Sequence, residues 1–241
     1  MGEDRVFDDV NIQPRSFRFN SDVAQVFDNM ANRSIPFYQE VIKLIGDVAV
    51  RFAQDGTVIY DLGCSTCNTL IYLARLLQGK DVALVGYDPS EDMLAKAQEK
   101  LDLYTFSHEI KALKGDCQTS SLEKASVVCL NYTLQFVAKS ERQAVLQKIY
   151  DALEPGGVLI LSEKVSHDAE FISDYNIDIY YDYKKANGYS ELEIAKKREA
   201  LEEVLVPCTE EENLQMLKDV GFAHCDTLFK WCNFMTIVAH K

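Results

Sequence analysis

The chain is poor in basic charge and in histidine, has no long apolar run, and lacks the full glycine fingerprint of a dinucleotide site. Each lack narrows its function. Against 38 acidic residues there are 25 lysines and arginines, a formal net charge of −13, with no basic run of five or more. A protein that grips DNA or tRNA neutralises phosphates with Lys and Arg, so small-molecule chemistry is favoured over direct nucleic-acid binding. No stretch of about 18 uninterrupted apolar residues marks a membrane span. The N-terminal Met1-Gly2-Glu3-Asp4-Arg5 is polar and lacks the apolar core of a secretion signal. The seven cysteines (64, 67, 117, 129, 208, 225 and 232) are an odd, scattered set, expected to be reduced thiols in a cytoplasmic protein. Cys64-x-x-Cys67 has redox or zinc readings, but zinc wants about two more ligands, and Cys225, Cys232 and His224 offer no second close pair. No metal is expected.

What is present is a set of short apolar runs that end in polar residues. Val58-Ile59-Tyr60-Asp61-Leu62-Gly63 reads as a buried strand running into a turn, and Leu84-Val85-Gly86-Tyr87-Asp88 as a second. The pattern predicts strands at 57–62, 82–87, 110–113, 127–130 and 158–162. Helices separate them, with apolar faces at Leu70, Leu73, Leu76 and Leu77, at Met93, Leu94, Ala97 and Leu101, and over 141–153. Glu154-Pro155-Gly156-Gly157 reads as the turn before the fifth strand. Such alternation argues βαβ units and a parallel sheet. Before the core, Ser21 is placed as the cap of a helix carrying Val23, Val26, Phe27 and Met30, and Pro36 marks the turn to a second helix. Phe7, Phe17 and Phe19 read as an arm packed on the surface. Residues 166–206 break the alternation and read as a helical insertion over the carboxyl edge of the sheet. Thr209-Glu210-Glu211-Glu212 signals one more helix, and 225–229 with 234–239 an antiparallel terminal pair. With 241 residues and no repeat or long linker, the chain is expected to be a single domain: an N-terminal helical cap (1–55), a core (57–165), the insertion (166–206) and a C-terminal helix with strands (207–241).

Ligands of an open α/β sheet bind outside the carboxyl ends of the strands. Asp61, Asp88, Asp116 and Asn131 stand at four such ends. Asp88 is at the spacing of an acid that holds ribose hydroxyls. Asp116 would accept from an adenine amino group or serve as a turn residue. The loop Gly63-Cys64-Ser65-Thr66-Cys67-Asn68 has Ser65 at the second glycine position of G-x-G-x-x-G and no third glycine. That weakens a pyrophosphate ligand and suits S-adenosylmethionine, which has no phosphate. In the insertion, Asn187-Gly188 turns into a helix capped by Ser190 with Glu193. Ile194, Arg198, Leu201 and Leu205 fall at offsets of 4, 7 and 11 on one face. Arg198 is expected to interrupt an apolar stripe, either awaiting a ligand carboxylate or pairing with Glu202 or Glu191 at the stripe's edge. None of the four histidines (His108, His167, His224, His240) falls at a strand end facing the crevice. His167, the nearest candidate base, reads as a loop residue.

The first half resembles a class I S-adenosylmethionine-dependent methyltransferase, and nearly the whole chain resembles the carboxy-S-adenosylmethionine synthase family. The resemblance rests on Val23-Ala24-Gln25-Val26-Phe27, Arg33-Ser34-Ile35-Pro36, Tyr60-Asp61-Leu62-Gly63-Cys64-Ser65, Leu130-Asn131-Tyr132-Thr133-Leu134-Gln135-Phe136, Leu161-Ser162-Glu163-Lys164 and Lys185-Ala186-Asn187-Gly188-Tyr189-Ser190-Glu191-Leu192-Glu193-Ile194. It implies an α/β, Rossmann-like methyltransferase fold: a mostly parallel seven-stranded sheet, helices on both faces, N-terminal helices, and a helical insertion before the last strands. The reaction it implies takes S-adenosylmethionine and prephenate to carboxy-S-adenosylmethionine, phenylpyruvate and water. Prephenate loses its carboxyl group, and a sulfonium ylide formed from the methyl group captures the carbon dioxide. The product would supply a partner enzyme that carboxymethylates the tRNA wobble uridine.

Carried over by motif, Tyr38 would contact the ligand from the N-terminal helices. Gly63, Cys64 and Ser65 would line its amino-acid portion, and Asp88 and Pro89 its ribose and adenine side. Asp116 and Cys117 would flank adenine, and Asn131 would lie beneath the sulfonium. Arg198 would pair with the new carboxylate across a homodimer interface. Two positions depart from the family: a glycine is common where Cys67 stands, and an asparagine where Pro89 stands. The alternative is a conventional methyltransferase acting on a small molecule, which would not require Arg198.

Overall fold

The computed structural model describes residues 4–8, 17–202 and 204–241, and the rest of the expected N-terminal arm lies outside them. Helix α1 (Ser21–Ser34) is capped by Asn20, whose side chain accepts from the Val23 N–H. The cap is therefore one residue before the expected Ser21. Pro36 stands in the turn to α2 (Tyr38–Phe52). The core follows as β1 (Thr57–Leu62), α3 (Asn68–Leu76), β2 (Val82–Asp88), α4 (Glu91–Leu101), β3 (Ile110–Lys114), β4 (Ala125–Asn131), α5 (Lys139–Ala152) and β5 (Leu153–Ser166). A 3-10 turn, Leu134–Phe136, lies between β4 and α5. The insertion is two helices, α6 (Glu170–Ala186) and α7 (Glu191–Leu201). Then come β6 (Cys208–Thr209), α8 (Glu210–Asp219), β7 (His224–Trp231) and β8 (Phe234–His240). Both predicted capping boxes form, Ser190 with Glu193 and Thr209 with Glu212. Each satisfies helix-end N–H groups reciprocally.

The sheet order is β3-β2-β1-β4-β5-β8-β7, with β1 to β5 parallel and the last two strands antiparallel. The expected seven strands are all there. An eighth, the two-residue β6, adds in parallel to the end of β5 through Val165 and Ser166. The Glu154–Gly157 turn is absorbed into β5: the partners of Ala125 and Val127, two apart on β4, are Leu153 and Val158, five apart on β5. The extra residues bulge out without ending the pairing.

Alternation along each strand makes two cores. Ile59, Leu84, Cys129 and Ile160 pack with Ile45, Leu70, Leu73 and Ala97, from α2, α3 and α4. Tyr60, Leu62, Leu130 and Leu161 pack on the other face with Val145, Leu146 and Ile149 of α5 and Leu217 of α8. A third cluster, with Ala31, Tyr38, Ile42, Tyr132 and Phe234, carries the N-terminal helices over the carboxyl edge of the sheet. Because β2 lies on one side of β1 and β4 on the other, the chain leaves a crevice between the ends of β1 and β4. That is the switch point where such sheets bind ligands.

Candidate active site

The turn leaving β1 is shaped by two constraints. Gly63 has φ +83°, and a Cβ there would run into the side chain of Thr133. Glycine alone meets both without strain. The Gly63 and Cys64 N–H groups both donate to the Tyr87 carbonyl, 2.8 and 3.0 Å, which ties the turn to β2. Cys67 N–H closes the loop on the Cys64 carbonyl at 2.7 Å, with Cys67 itself at φ 61°. Both thiols are buried and free. From outside, Asp28 of α1 accepts from Thr66 Oγ1 (2.6 Å), Asn68 Nδ2 (2.8 Å) and Lys100 Nζ (2.7 Å). Burial pushes its carboxyl up, but the Lys100 charge and these hydrogen bonds more than reverse that and hold it below the usual range. This network ties α1 and α4 to the loop.

The crevice is lined by Tyr38, Asp61, Gly63, Cys64, Ser65, Asp88, Pro89 and Asn131, all eight of them expected at strand ends or by motif. Asp88 is buried and accepts from Ser65 N–H and Ser90 N–H, both at 2.9 Å, one on each carboxylate oxygen. Each oxygen keeps a lone pair for a hydroxyl. Asp61 is 2% exposed, and its Oδ1 has no partner. Burial, with the neighbouring Asp88 charge, pushes its carboxyl up to about 7. Asn131 Oδ1 and Tyr132 Oη are also buried without a partner, and both residues line the crevice. Buried polar atoms are nearly always paired. Three orphans on one wall are therefore a ligand's hydrogen-bond pattern: acceptors at Asp61 and Asn131, and a hydroxyl at Tyr132. An ammonium would satisfy Asp61, and a ribose hydroxyl would use the spare lone pairs of Asp88. The donor set thus fits S-adenosylmethionine, with Gly63 giving the close backbone approach.

Asp116 and Cys117 follow the end of β3. Asp116 spends its Oδ1 on the N–H groups of Gln118 (2.8 Å) and Thr119 (2.7 Å) and on the Thr119 hydroxyl, the turn-residue alternative. Cys117 is a core residue whose thiol burial pushes up to about 11. Arg198 is exposed and does not break an apolar stripe. Its Nη1 donates to Tyr181 Oη at 3.5 Å, and Glu191 pairs with Lys185 instead. Lys197, one residue earlier, joins Ile194, Leu201 and Leu205 on the inner side and lines the crevice. Offsets of 3 and 4 both continue a helix face, so spacing alone does not separate Lys197 from Arg198. Phe17 and Phe19 line the crevice. Phe19 packs edge-on to Phe136 at 5.5 Å, and the Phe17 N–H donates to the Ala200 carbonyl.

The sequence reading also missed Lys164, Tyr180 and Glu163. The first two line the crevice. Glu163 is buried under the 3-10 turn and accepts from Leu134 N–H at 3.0 Å, with Thr133 and Gln135 N–H groups also bonding to it. Burial pushes it up to about 8 against the pull of Arg142 and these donors. It fixes the backbone beside Thr133. A carboxylate just past an apolar strand was the available signal. His167 is not among the lining residues, and its Nε2 is buried without a partner.

Comparison with known proteins identifies the family. Residues 59–157 match the family model described as "Methyltransferase domain". The chain is 46% identical over 226 residues to carboxy-S-adenosyl-L-methionine synthase of Desulfotalea psychrophila, covering 93% of this chain and 92% of that one. It is 42% identical over 239 residues to the protein of the same name from Shewanella oneidensis, covering 99% and 98%. Among solved structures, an O-methyltransferase family protein from Burkholderia thailandensis superposes with a TM-score of 0.64 at 15% identity, over 92% of this chain and 60% of that one. Human N-acetylserotonin methyltransferase in complex with SAM gives 0.61 at 16%, over 92% and 55%. At those identities the likeness shows the methyltransferase fold alone, whereas the sequence relatives extend over nearly the whole length of both chains. The chain belongs to the carboxy-S-adenosyl-L-methionine synthase family.

Proposed function

We propose that this chain converts S-adenosylmethionine and prephenate to carboxy-S-adenosylmethionine, phenylpyruvate and water. The observation that carries the reading is the wall of unpaired buried atoms on Asp61, Asn131 and Tyr132 within one crevice, in a member of this family. Asp61 takes the ligand's ammonium, Asp88 its ribose hydroxyls, and Asn131 lies beneath the sulfonium. Tyr38, Gly63, Cys64, Ser65 and Pro89 complete the wall, and Asp116 and Cys117 flank the adenine.

The bound cofactor supplies an acidic methyl group, made so by the adjacent sulfonium. The reaction balances without a protein base: the methyl proton leaves with the hydroxide of prephenate as water, and the carboxyl group moves as carbon dioxide. The chain's own work is positioning and exclusion of water. Phe17, Phe19, Phe27 and Phe136 form an edge-to-face wall with centroids 5.1 to 6.4 Å apart, which keeps carbon dioxide and the reactive carbon from solvent.

Arg198 is assigned to the new carboxylate, reached from a second copy of the chain. Its exposure and its place beside an apolar stripe on α6 (Phe171, Tyr175 and Ile179, all exposed) support a homodimer in which α6 and α7 face the neighbour. The product is proposed to serve a tRNA carboxymethyltransferase. That division of labour suits a chain of net charge −13, which has little to offer a polyanion.

The test is mass spectrometry of the reaction with purified protein. Prephenate-dependent appearance of S-adenosylmethionine with a carboxyl group in place of one hydrogen supports the reading. S-adenosylhomocysteine formed with an acceptor, and no carboxylated product, favours a conventional methyltransferase. Arg198→Ala is expected to remain folded and to lose carboxylated product by at least about tenfold, the worth of a charge-assisted pair. Unchanged synthesis removes Arg198 from the site.

A further inference from the structure

Besides Asp61 and Asp88, the crevice carries cationic side chains. Lys164, from the end of β5, and Lys197, from α7, both line it. Lys184, from α6, is 4% exposed and sits behind Tyr180, whose ring also lines the crevice. Lys184 Nζ is 4.6 Å and Lys164 Nζ 5.2 Å from the Tyr180 ring centroid, so two ammonium groups share one aromatic ring. Lys197 Nζ donates to Ser34 Oγ at 2.9 Å and has Asp4 Oδ2 at 3.8 Å. Among the described residues neither Lys164 nor Lys184 has a carboxylate partner. Burial, with the charges of Lys197, Lys164 and Arg198, pushes Lys184 down to about 7. Burial also pushes Lys197 down to about 8, although Asp4 pulls the other way, and it lowers Lys164.

A structural lysine runs its head out to water or pairs it with a carboxylate. Ring faces attract these ammonium groups but supply no acceptor atoms and no negative charge. Three cations gathered in an acidic protein, two of them without an anion, therefore lack a counter-ion. Bound S-adenosylmethionine brings a further positive charge to the same crevice, so the missing partner is an anion. The walls around the cluster are Tyr180, Phe234, Ile35 and Leu201, which fit an apolar ring or unsaturated body. A nucleic-acid backbone does not fit an aromatic crevice of this kind.

We propose that Lys164, Lys184 and Lys197 form the subsite for the carboxylates of the second substrate, a small dicarboxylic acid with an apolar body. The proposal rests on the reading that this crevice takes S-adenosylmethionine and an acid together. It deepens that reading by naming the residues that hold the acid. Lys164 and Lys197 contact it directly. Lys184 acts through the Tyr180 ring and the summed charge, as a positioning residue.

The experiment is calorimetric titration of prephenate into protein loaded with S-adenosylhomocysteine, which lacks the methyl group and does not turn over. Wild type is compared with Lys164→Gln, Lys184→Gln and Lys197→Gln, and each variant's affinity for S-adenosylhomocysteine is measured separately. Lys164→Gln and Lys197→Gln are expected to weaken prephenate about tenfold to a hundredfold, the range for a hydrogen bond to a charged group. Lys184→Gln is expected to weaken it about threefold to tenfold, as a charge one ring away. S-adenosylhomocysteine affinity is expected to stay within about twofold, and Lys164→Arg to keep most of the prephenate affinity. Prephenate affinity unchanged in both Lys164→Gln and Lys197→Gln overturns the subsite. So does a parallel loss of both ligands, which marks a structural role. The two readings separate cleanly. Lysine-dependent prephenate binding by a wild type that forms no carboxylated product keeps the subsite and overturns the proposed reaction. Full turnover with unaltered KM for prephenate in the variants does the reverse.

Discussion

At the scale of single residues, the crevice is made by groups that are awkward without a ligand. Gly63 tolerates φ +83° and the crowding of Thr133. Replacing it with Ala adds a left-handed penalty of about 1–2 kcal/mol and a crowding cost of about 1–3 kcal/mol. Gly63→Ala is therefore expected to lose about 2–5 kcal/mol in chemical denaturation and to weaken S-adenosylmethionine, since Thr133 also lines the crevice. Adding Thr133→Ala is expected to return the crowding part and leave the φ part. Full recovery in the double variant sinks the backbone argument. These site residues were legible because strand ends face the crevice in any sheet of this topology, which placed Asp61, Asp88 and Asn131 without a structure. Asp116 also stands past a strand end, and its Oδ1 is bonded within its own turn. Lys197 was hidden by helix geometry, since it and Arg198 are one residue apart and spacing admits either on the inner face.

At the scale of elements, alternation of apolar runs gave strands and helices close to their observed places, because parallel strands buried on both faces leave an unambiguous run. It did not give β6, whose two residues carry no period, nor the path of the segment before it. That path is set by Arg142, 1% exposed on α5. Its guanidinium donates to the carbonyls of Val137 (2.9 Å), Gln135 (3.2 Å) and Val206 (2.6 Å), and to Cys208 Sγ (3.1 Å). One side chain thus joins the 3-10 turn beside the crevice to the strand that extends β5. Arg142→Met keeps the volume and strands the acceptors, and is expected to cost about 3 kcal/mol, read as a lower denaturation midpoint. Less than about 1 kcal/mol means that water replaces the guanidinium. Helix α6 carries a second prediction. Phe171 and Ile179, 71% and 44% exposed, stand two turns apart on the proposed contact face. Phe171→Glu with Ile179→Glu is expected to yield monomers in sedimentation. Those monomers should still bind S-adenosylmethionine but form at least about tenfold less carboxylated product, because Arg198 no longer reaches the neighbouring crevice. Dimers that persist in the double variant place the interface elsewhere.

At the scale of the whole molecule, acids and lysines are buried in and around one crevice, and both are shifted toward their neutral forms. Burial raises Asp61 from 3.8 to about 7 and Glu163 from 4.5 to about 8, so between about pH 4 and 8 the native protein holds more protons than the unfolded chain. Stability falls with rising pH wherever that holds. Burial lowers Lys184 and Lys197 from 10.5 to about 7 and about 8, so between about pH 7 and 10.5 the native protein holds fewer protons, and stability rises with pH. The two limbs meet near pH 7–8, where the empty crevice is expected to leave the ligand-free protein at a local minimum of stability. Denaturant titrations from pH 5 to 10 read this directly. Asp61→Asn is expected to make the acid limb shallower, leaving the part due to Glu163, and Lys184→Gln the alkaline limb shallower, leaving the part due to Lys197. Saturating S-adenosylmethionine supplies an ammonium to Asp61 and should make only the acid limb shallower, while prephenate, added to protein loaded with S-adenosylhomocysteine, should flatten the alkaline limb. A ligand-free protein whose stability is level from pH 5 to 7 contradicts the burial of ionisable groups on which the argument stands. An alkaline limb that ignores prephenate separates the lysines from the acid. The pairing of limb with ligand follows from charge alone: each set of groups is destabilised by the charge that its own ligand removes.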